Sequence, residues 1–441
     1  MNRRAFLRAG AVTSAILWSA PAWCGEAEDR PPSDPELLSE ARASIDRNRK
    51  SQVIVQVQNA KGEPLRQVEV KLEQVRHETL FGSNLFSFDR CSDPEKEQAY
   101  RDQFASLFNY CTLGFYWSAY ESTRGKPNYD YTDRVLEWTK KQSITCKGHP
   151  LVWDHPAGSP GWLPEDPGEL ALLVTGRVKE IVSRYRGRIN LWDVVNEATH
   201  LPQGVNRTKM AAWGATLGSV SYTAEPLRVA RAANPDATLL VNDYRTDAPY
   251  FELLSRLRQD SRPLFDAIGI QSHMHSGFWP LHKLHQLCER YSELRVPIHF
   301  TETTILSGEL EHAPETWGPS TASQEATQAE QAAQFYTMLF GHPAVQAITW
   351  WDFSDYHAWQ QAPAGLVRQD MSPKPAYERL HKLLKGDWWT RASLKTDEQG
   401  TCTTRAFHGL HQVTAQNANQ QITTGHLLVG RSQSNHIILS L

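Results

Sequence analysis

Two stretches about a hundred residues apart carry the residues best placed to do chemistry: Trp192-Asp193-Val194-Val195-Asn196-Glu197 and His299-Phe300-Thr301-Glu302. Each reads as an apolar strand that stops at a carboxylate. A parallel barrel gathers the carboxyl ends of its strands at one rim, where active sites form. Two glutamates delivered there from different strands could divide the work on one bond between them.

The elements that must position them follow from hydrophobic patterning. Between about His77 and Lys385, short apolar runs alternate with longer helical stretches. The strands are expected at 79–83, 110–115, 144–152, 189–195, 238–241, 267–271, 296–301 and 346–351, and eight is the number that closes a barrel. Helices are expected at 131–142, 170–185, 222–233, 281–293 and 327–340. The alternation predicts an α/β fold, a (β/α)8 TIM barrel over residues 77–386. A doubly wound sheet is the competing layout, weakened because no glycine-rich phosphate loop follows the first strands.

The ends of the chain differ in character. Residues 1–24 have the paired arginines Arg3-Arg4 and a short apolar stretch, Ala9 to Trp18, of a twin-arginine export signal, so a periplasmic or secreted protein is expected. Cys24 leaves a lipid anchor as a lesser alternative, because Pro21-Ala22-Trp23 is a poor attachment context. Residues 25–50 read as a proline-rich linker and a helix, and 51–76 as a hairpin around Lys61-Gly62-Glu63-Pro64. Residues 387–441 are strand-like and are expected to pair with that hairpin, forming a small β-sandwich from both ends.

Composition excludes several classes of partner. The 441 residues carry a net charge of -3, so there is no basic field for nucleic acid, and no segment is long and apolar enough for a transmembrane helix. The 15 Trp and 14 Tyr suit a neutral partner with flat faces, such as a sugar. A monomer is expected. After the signal, Cys91, Cys111, Cys146, Cys288 and Cys402 lack metal-ligand spacing, so no metal site is expected; Cys111 and Cys146, near the starts of adjacent strands, are a candidate disulfide.

Five motifs in order resemble those of glycoside hydrolase family 10, the endo-β-1,4-xylanases: Gly148-His149-Pro150-Leu151-Val152-Trp153, the run from Trp192 to Ala198, Asn242-Asp243-Tyr244, Gly269-Ile270-Gln271-Ser272-His273 and Thr301-Glu302. Trp350 to Asp355 followed by Trp359 resembles the family's last barrel strand and tryptophan loop. The resemblance spans roughly Phe81 to Leu384. It implies a retaining glycoside hydrolase, with Glu197 as acid/base and Glu302 as nucleophile, acting on a plant-type polysaccharide, xylan first, without a cofactor. It further implies substrate contacts from Asn196, His149, Trp153, Gln271, His273, Tyr244, Trp351 and Trp359. A related β-glycanase of other specificity and a noncatalytic carbohydrate-binding barrel remain as alternatives. His155, His275, His282 and His285 carry no motif support and are read as structural.

Two departures from the family pattern matter. Where xylanases carry a Glu-Asn pair and a Lys that grip the next sugar on the non-reducing side, this chain has Thr112-Leu113-Gly114-Phe115-Tyr116-Trp117. Tyr116 and Trp117 are expected to stack on the sugar instead, which favours a decorated or different β-glycan over plain linear xylan. Thr304 stands where the family places an aspartate against the histidine that touches the nucleophile. His273 then lacks a charged orienter, and replacing Thr304 by Ala is expected to be silent in the pH profile.

Overall fold

The computed structural model describes residues 32–441 except 309, 313–315, 318–319 and 432–433. The export signal and Cys24 lie outside the described residues. Eight parallel strands close on themselves: Leu80–Asn84, Tyr110–Gly114, Thr145–His149, Leu191–Asn196, Thr238–Asp243, Ala267–Ile270, Ile298–Thr303 and Val345–Trp350. The first strand pairs with both the second and the eighth, so no edge remains. The fold is the (β/α)8 barrel that the alternation predicts.

Alternation within each strand decides what reaches the site. On the seventh strand Phe300 packs outward against Phe335 of the helix Ala322–Gly341, whereas the Thr301 hydroxyl points inward and donates to Asn242 Oδ1 at 2.6 Å. A glycine makes the next contact possible: a Cβ on Gly269 would stand 2.4 Å from Asn242 Oδ1, so only glycine lets that amide lie across the sixth strand. The surrounding helices begin where capping chemistry dictates. Asp166 caps Pro167–Arg184 by accepting from the Glu169 N–H, and Thr321 with Gln324 forms a capping box for Ala322–Gly341.

Of the segment 25–50, the described helix is built against the barrel. The helix Asp34–Arg49 packs on Ala322–Gly341, where a Cβ on Gly341 would lie 2.7 Å from the Ala41 carbonyl oxygen. Buried Arg49 donates to the carbonyls of Phe340, His342 and Val345, each at 2.7 Å.

The expected N-terminal hairpin is not one. Lys50–Gln58 lies between Thr401–Phe407, antiparallel, and His436–Ser440, parallel. Glu69–His77 lies in a second sheet, ordered Arg391–Lys395, Glu69–His77, Gly409–Gln416, Ile422–Val429. The reason is parity: alternation reveals which face of a strand is apolar, and two strands facing each other across a core alternate as two paired neighbours do. Val53, Val55 and Val57 of one sheet and Val70, Leu72 and Val413 of the other share one apolar core, separate from that of the barrel. Deleting residues 387–441 removes both neighbours of Lys50–Gln58 and uncovers those valines. The truncated protein is expected to lose solubility and to be cut by protease near Val53; an unchanged melting curve would count against this.

Cys111 and Cys146 are register partners on neighbouring strands, but the Cys111 thiol donates a hydrogen bond to Cys146 Sγ at 3.5 Å and no disulfide joins them. The five cysteines among the described residues are free thiols.

Candidate active site

At the carboxyl ends of the strands lies a cleft of ≈ 480 Å³ into which both glutamates project. Glu302 is the penultimate residue of the seventh strand; Glu197 follows the fourth, its backbone in the left-handed region at φ 60°. One amide network spans them. Gln271 Nε2 donates to Glu197 Oε1 at 2.8 Å and to Asn196 Oδ1 at 3.3 Å. Asn242 Nδ2 donates to Asn196 Oδ1 at 2.8 Å and to Glu302 Oε1 at 2.6 Å. With its oxygen so occupied, Asn196 has its NH2 left to donate.

The two carboxyl groups are driven in opposite directions. Burial, reinforced by the negative charge of Glu302, raises the pKa of Glu197 above the ordinary glutamate value, although Gln271 and Trp153 donate to it. Burial acts the same way on Glu302, but the field of His149 and the hydrogen bond and charge of His273 outweigh it, and its pKa falls below the ordinary value. A protonated Glu197 beside an ionised Glu302 is the resulting arrangement.

A buried chain of polar groups supports Glu302 from beneath. His149 Nδ1 donates to Asp193 Oδ2 at 2.8 Å, which leaves Nε2 facing Glu302 Oε1 at 3.8 Å. Asp193 also meets Lys147 Nζ at 2.6 Å, and both side chains are fully buried. On the other flank His273 Nε2 lies 3.3 Å from Glu302 Oε2. His273 is not left without an orienter: Thr304 Oγ1 donates to the Trp351 carbonyl at 3.1 Å and accepts from His273 Nδ1 at 2.8 Å. The expectation that Thr304 is silent therefore gives way. Thr304→Val is expected to loosen His273 and let the pKa of Glu302 rise, so the acid limb of kcat/KM moves to higher pH; an unmoved limb in a pH profile would refute the coupling.

Of the aromatic residues expected here, Trp153, Trp351 and Trp359 line the cleft. Trp117 does not. It is 2% exposed, donates Nε1 to Glu121 Oε2 at 2.9 Å, and packs against Trp162 and the Arg177 guanidinium. The second strand ends at Gly114 and a single helical turn, Trp117–Tyr120, starts at once, so Trp117 turns into the wall while Tyr116 faces the cleft. Burial and the charges of Glu302 and Asp352 push the Tyr116 pKa well up, keeping a neutral hydroxyl in the cleft. Tyr244 is 45% exposed and stands beside His200 on the Glu197 flank.

Two histidines here lie outside the motif reading, and one motif residue has a role that the motif alone does not give. His155, read as structural, lines the cleft and stacks on Trp153 at 4.2 Å; its place two residues beyond Trp153 was the available signal. His275 stacks on His273 at 5.6 Å. Asp352, its pKa raised to about 6 by burial, accepts from Asn84 Nδ2 at 2.5 Å and from the Trp359 N–H at 2.6 Å, tying the tryptophan loop to the first strand.

Known proteins share the barrel that carries this cleft. The family model described as "Glycosyl hydrolase family 10" matches residues 79–383. Among curated proteins, endo-1,4-beta-xylanase B of Thermotoga neapolitana is 28% identical over 321 residues, covering 69% of this chain and 87% of that one. Endo-1,4-beta-xylanase 5 of Arabidopsis thaliana is 27% identical over 320 residues, covering 69% of this chain but only 51% of the plant protein, about half its length. Among solved structures, xylanase 10B from Thermotoga petrophila RKU-1 in complex with xylobiose superposes with a TM-score of 0.60 at 25% identity, covering 70% of this chain and 95% of that one. With the family model running through every barrel strand and both glutamates, the chain belongs to glycosyl hydrolase family 10 and is a glycoside hydrolase.

Proposed function

We propose that this hydrolase cleaves internal β-1,4 linkages of a xylan-type polysaccharide with retention, Glu302 serving as nucleophile and Glu197 as acid/base. The observation that carries the reading is the opposed displacement of two carboxyl groups facing one cleft. In the first step a Glu302 oxygen bonds the anomeric carbon as the C–O bond to the leaving sugar breaks, and the proton of Glu197 passes to the leaving oxygen. In the second, Glu197, now a carboxylate, takes a proton from water as that water displaces Glu302, and both groups return to their starting forms. The reaction balances with water alone.

The neighbouring amides support this division. The free NH2 of Asn196 can donate to the 2-hydroxyl of the reacting sugar, a contact that strengthens as charge develops at the anomeric centre. Trp153 holds Glu197 in place through its Nε1–H, at 2.9 Å. The likeness to the endo-1,4-beta-xylanases of Thermotoga neapolitana and Arabidopsis thaliana supports the substrate and the endo action. The test is to digest a panel of plant β-glycans, size the products and follow the anomeric proton by NMR. Xylan cut to short oligomers with the β-anomer appearing first is expected; an initial α-anomer would refute retention, and cleavage of a different β-glycan alone would refute the substrate.

A further inference from the structure

We propose that the glycone end of the cleft reads a carboxylate, and that Arg90 is the residue that recognises a uronic-acid unit carried by the glycan. The inference rests on the reading above, because the leaving sugar must lie toward the proton donor Glu197. The glycone then runs to the opposite end, bounded by Phe86, Arg90, Asp352 and His357.

That end has an unusual balance of groups for a neutral sugar. Phe86 lies edge-on to Tyr116 at 5.9 Å and to Trp351 at 5.0 Å, so its walls are largely aromatic. Asp352 turns both carboxylate oxygens to Asn84 and the Trp359 N–H. Among the described residues, Arg90 is the one Lys or Arg that lines the cleft, it is exposed, and it forms no ion pair. Its neighbour Asp89 does not neutralise it, being bound by Arg101 and Arg134.

The guanidinium is also held in place. It lies over the Tyr131 ring at 5.6 Å, and that ring is fixed by its hydroxyl donating to the Leu85 carbonyl at 3.0 Å. The Arg90 backbone is anchored at both ends, its N–H donating to the Ser87 carbonyl at 3.1 Å and its own carbonyl accepting from Tyr356 Oη at 3.4 Å. A planar fork of donors on a fixed platform matches a carboxylate with two parallel hydrogen bonds, which a sugar hydroxyl cannot return. An anionic sugar entering a cleft that already holds Glu302 requires such a counter-charge.

The experiment compares kcat/KM on glucuronic-acid-branched xylan, on the same polymer after its carboxyl groups are reduced to alcohols, and on arabinose-branched xylan. The wild type is expected to prefer the intact acid polymer by about tenfold, the order of one charge-assisted hydrogen bond, over both neutral polymers. The preference should shrink as salt is raised. Arg90→Gln should bring the acid-to-reduced ratio close to one, and Arg90→Glu should invert it. Equal wild-type rates on the acid and reduced polymers, or a ratio that Arg90→Gln leaves intact, would overturn the proposal. Hydrolysis of none of the three would overturn the xylan reading and this inference with it.

Discussion

Replacing Glu302 by alanine is expected to lower turnover by at least about 10⁴-fold on every substrate, because the other two carboxyl groups of the cleft are committed, Glu197 as proton donor and Asp352 to Asn84 and the Trp359 N–H. Glu197→Ala should behave differently. On polysaccharide, loss of the proton donor should cost about 10² to 10⁴-fold. On an aryl glycoside whose leaving group needs no proton, the first step should survive and the glycosyl-enzyme accumulate as a burst. Azide, small enough to occupy the space of the missing carboxylate, should then restore turnover and yield a β-glycosyl azide. In the wild type, the acid limb of kcat/KM should lie below the ordinary glutamate range, where Glu302 gains its proton, and the basic limb above it, where Glu197 loses one. Near wild-type polysaccharide hydrolysis by both variants would sink the assignment, and rescue of the 302 variant rather than the 197 variant would reverse it.

The second large effect is on stability. Asp193→Asn leaves the Lys147 ammonium fully buried with its counter-charge gone, and is expected to destabilise the protein by about 3–5 kcal/mol. The paired variant Lys147→Met with Asp193→Leu should recover most of that loss, since an apolar pair of similar volume needs no partner and Asp193 Oδ1 already lacks a hydrogen bond. Activity should not recover with it, because a leucine offers no acceptor for the His149 Nδ1–H. Chemical unfolding with an unchanged m-value, read beside kcat, separates the two. If the paired variant were as unstable as Asp193→Asn alone, the buried charge would not be the cause.

What could be read from the chain before its fold was known follows a physical divide. The eight barrel strands are legible because buried parallel strands are short apolar runs punctuated by helices. Glu197 and Glu302 stand out because each ends such a run. Facts that depend on pairing or rotation are not legible. Patterning could not show that Val53 and Val70 belong to opposite sheets, or that one helical turn puts Tyr116 rather than Trp117 into the cleft. Nor does residue type reveal partners: Lys147 is one residue of an expected strand, Asp193 one letter in a motif, and Thr304 a lost charge, until Lys147 and Asp193 are found beside His149, and Thr304 beside His273. Arg90 lies on the loop after the first strand, where local pattern carries least information.

The small two-sheet module sets a timetable for biosynthesis. Lys50–Gln58 is among the first strands made, yet both of its neighbours belong to segments that emerge roughly 340 residues or more later. At ribosomal speed that is a wait on the order of tens of seconds, during which the barrel strands can find their sequential partners but Val53, Val55 and Val57 cannot be covered. The valine strand is therefore a long-lived sticky edge on the nascent chain, open to chaperone binding and to pairing with other copies. Its final covering depends on residues 401–440 having been made, so an interrupted translation product displays the same edge that a protease or chaperone recognises as unfinished.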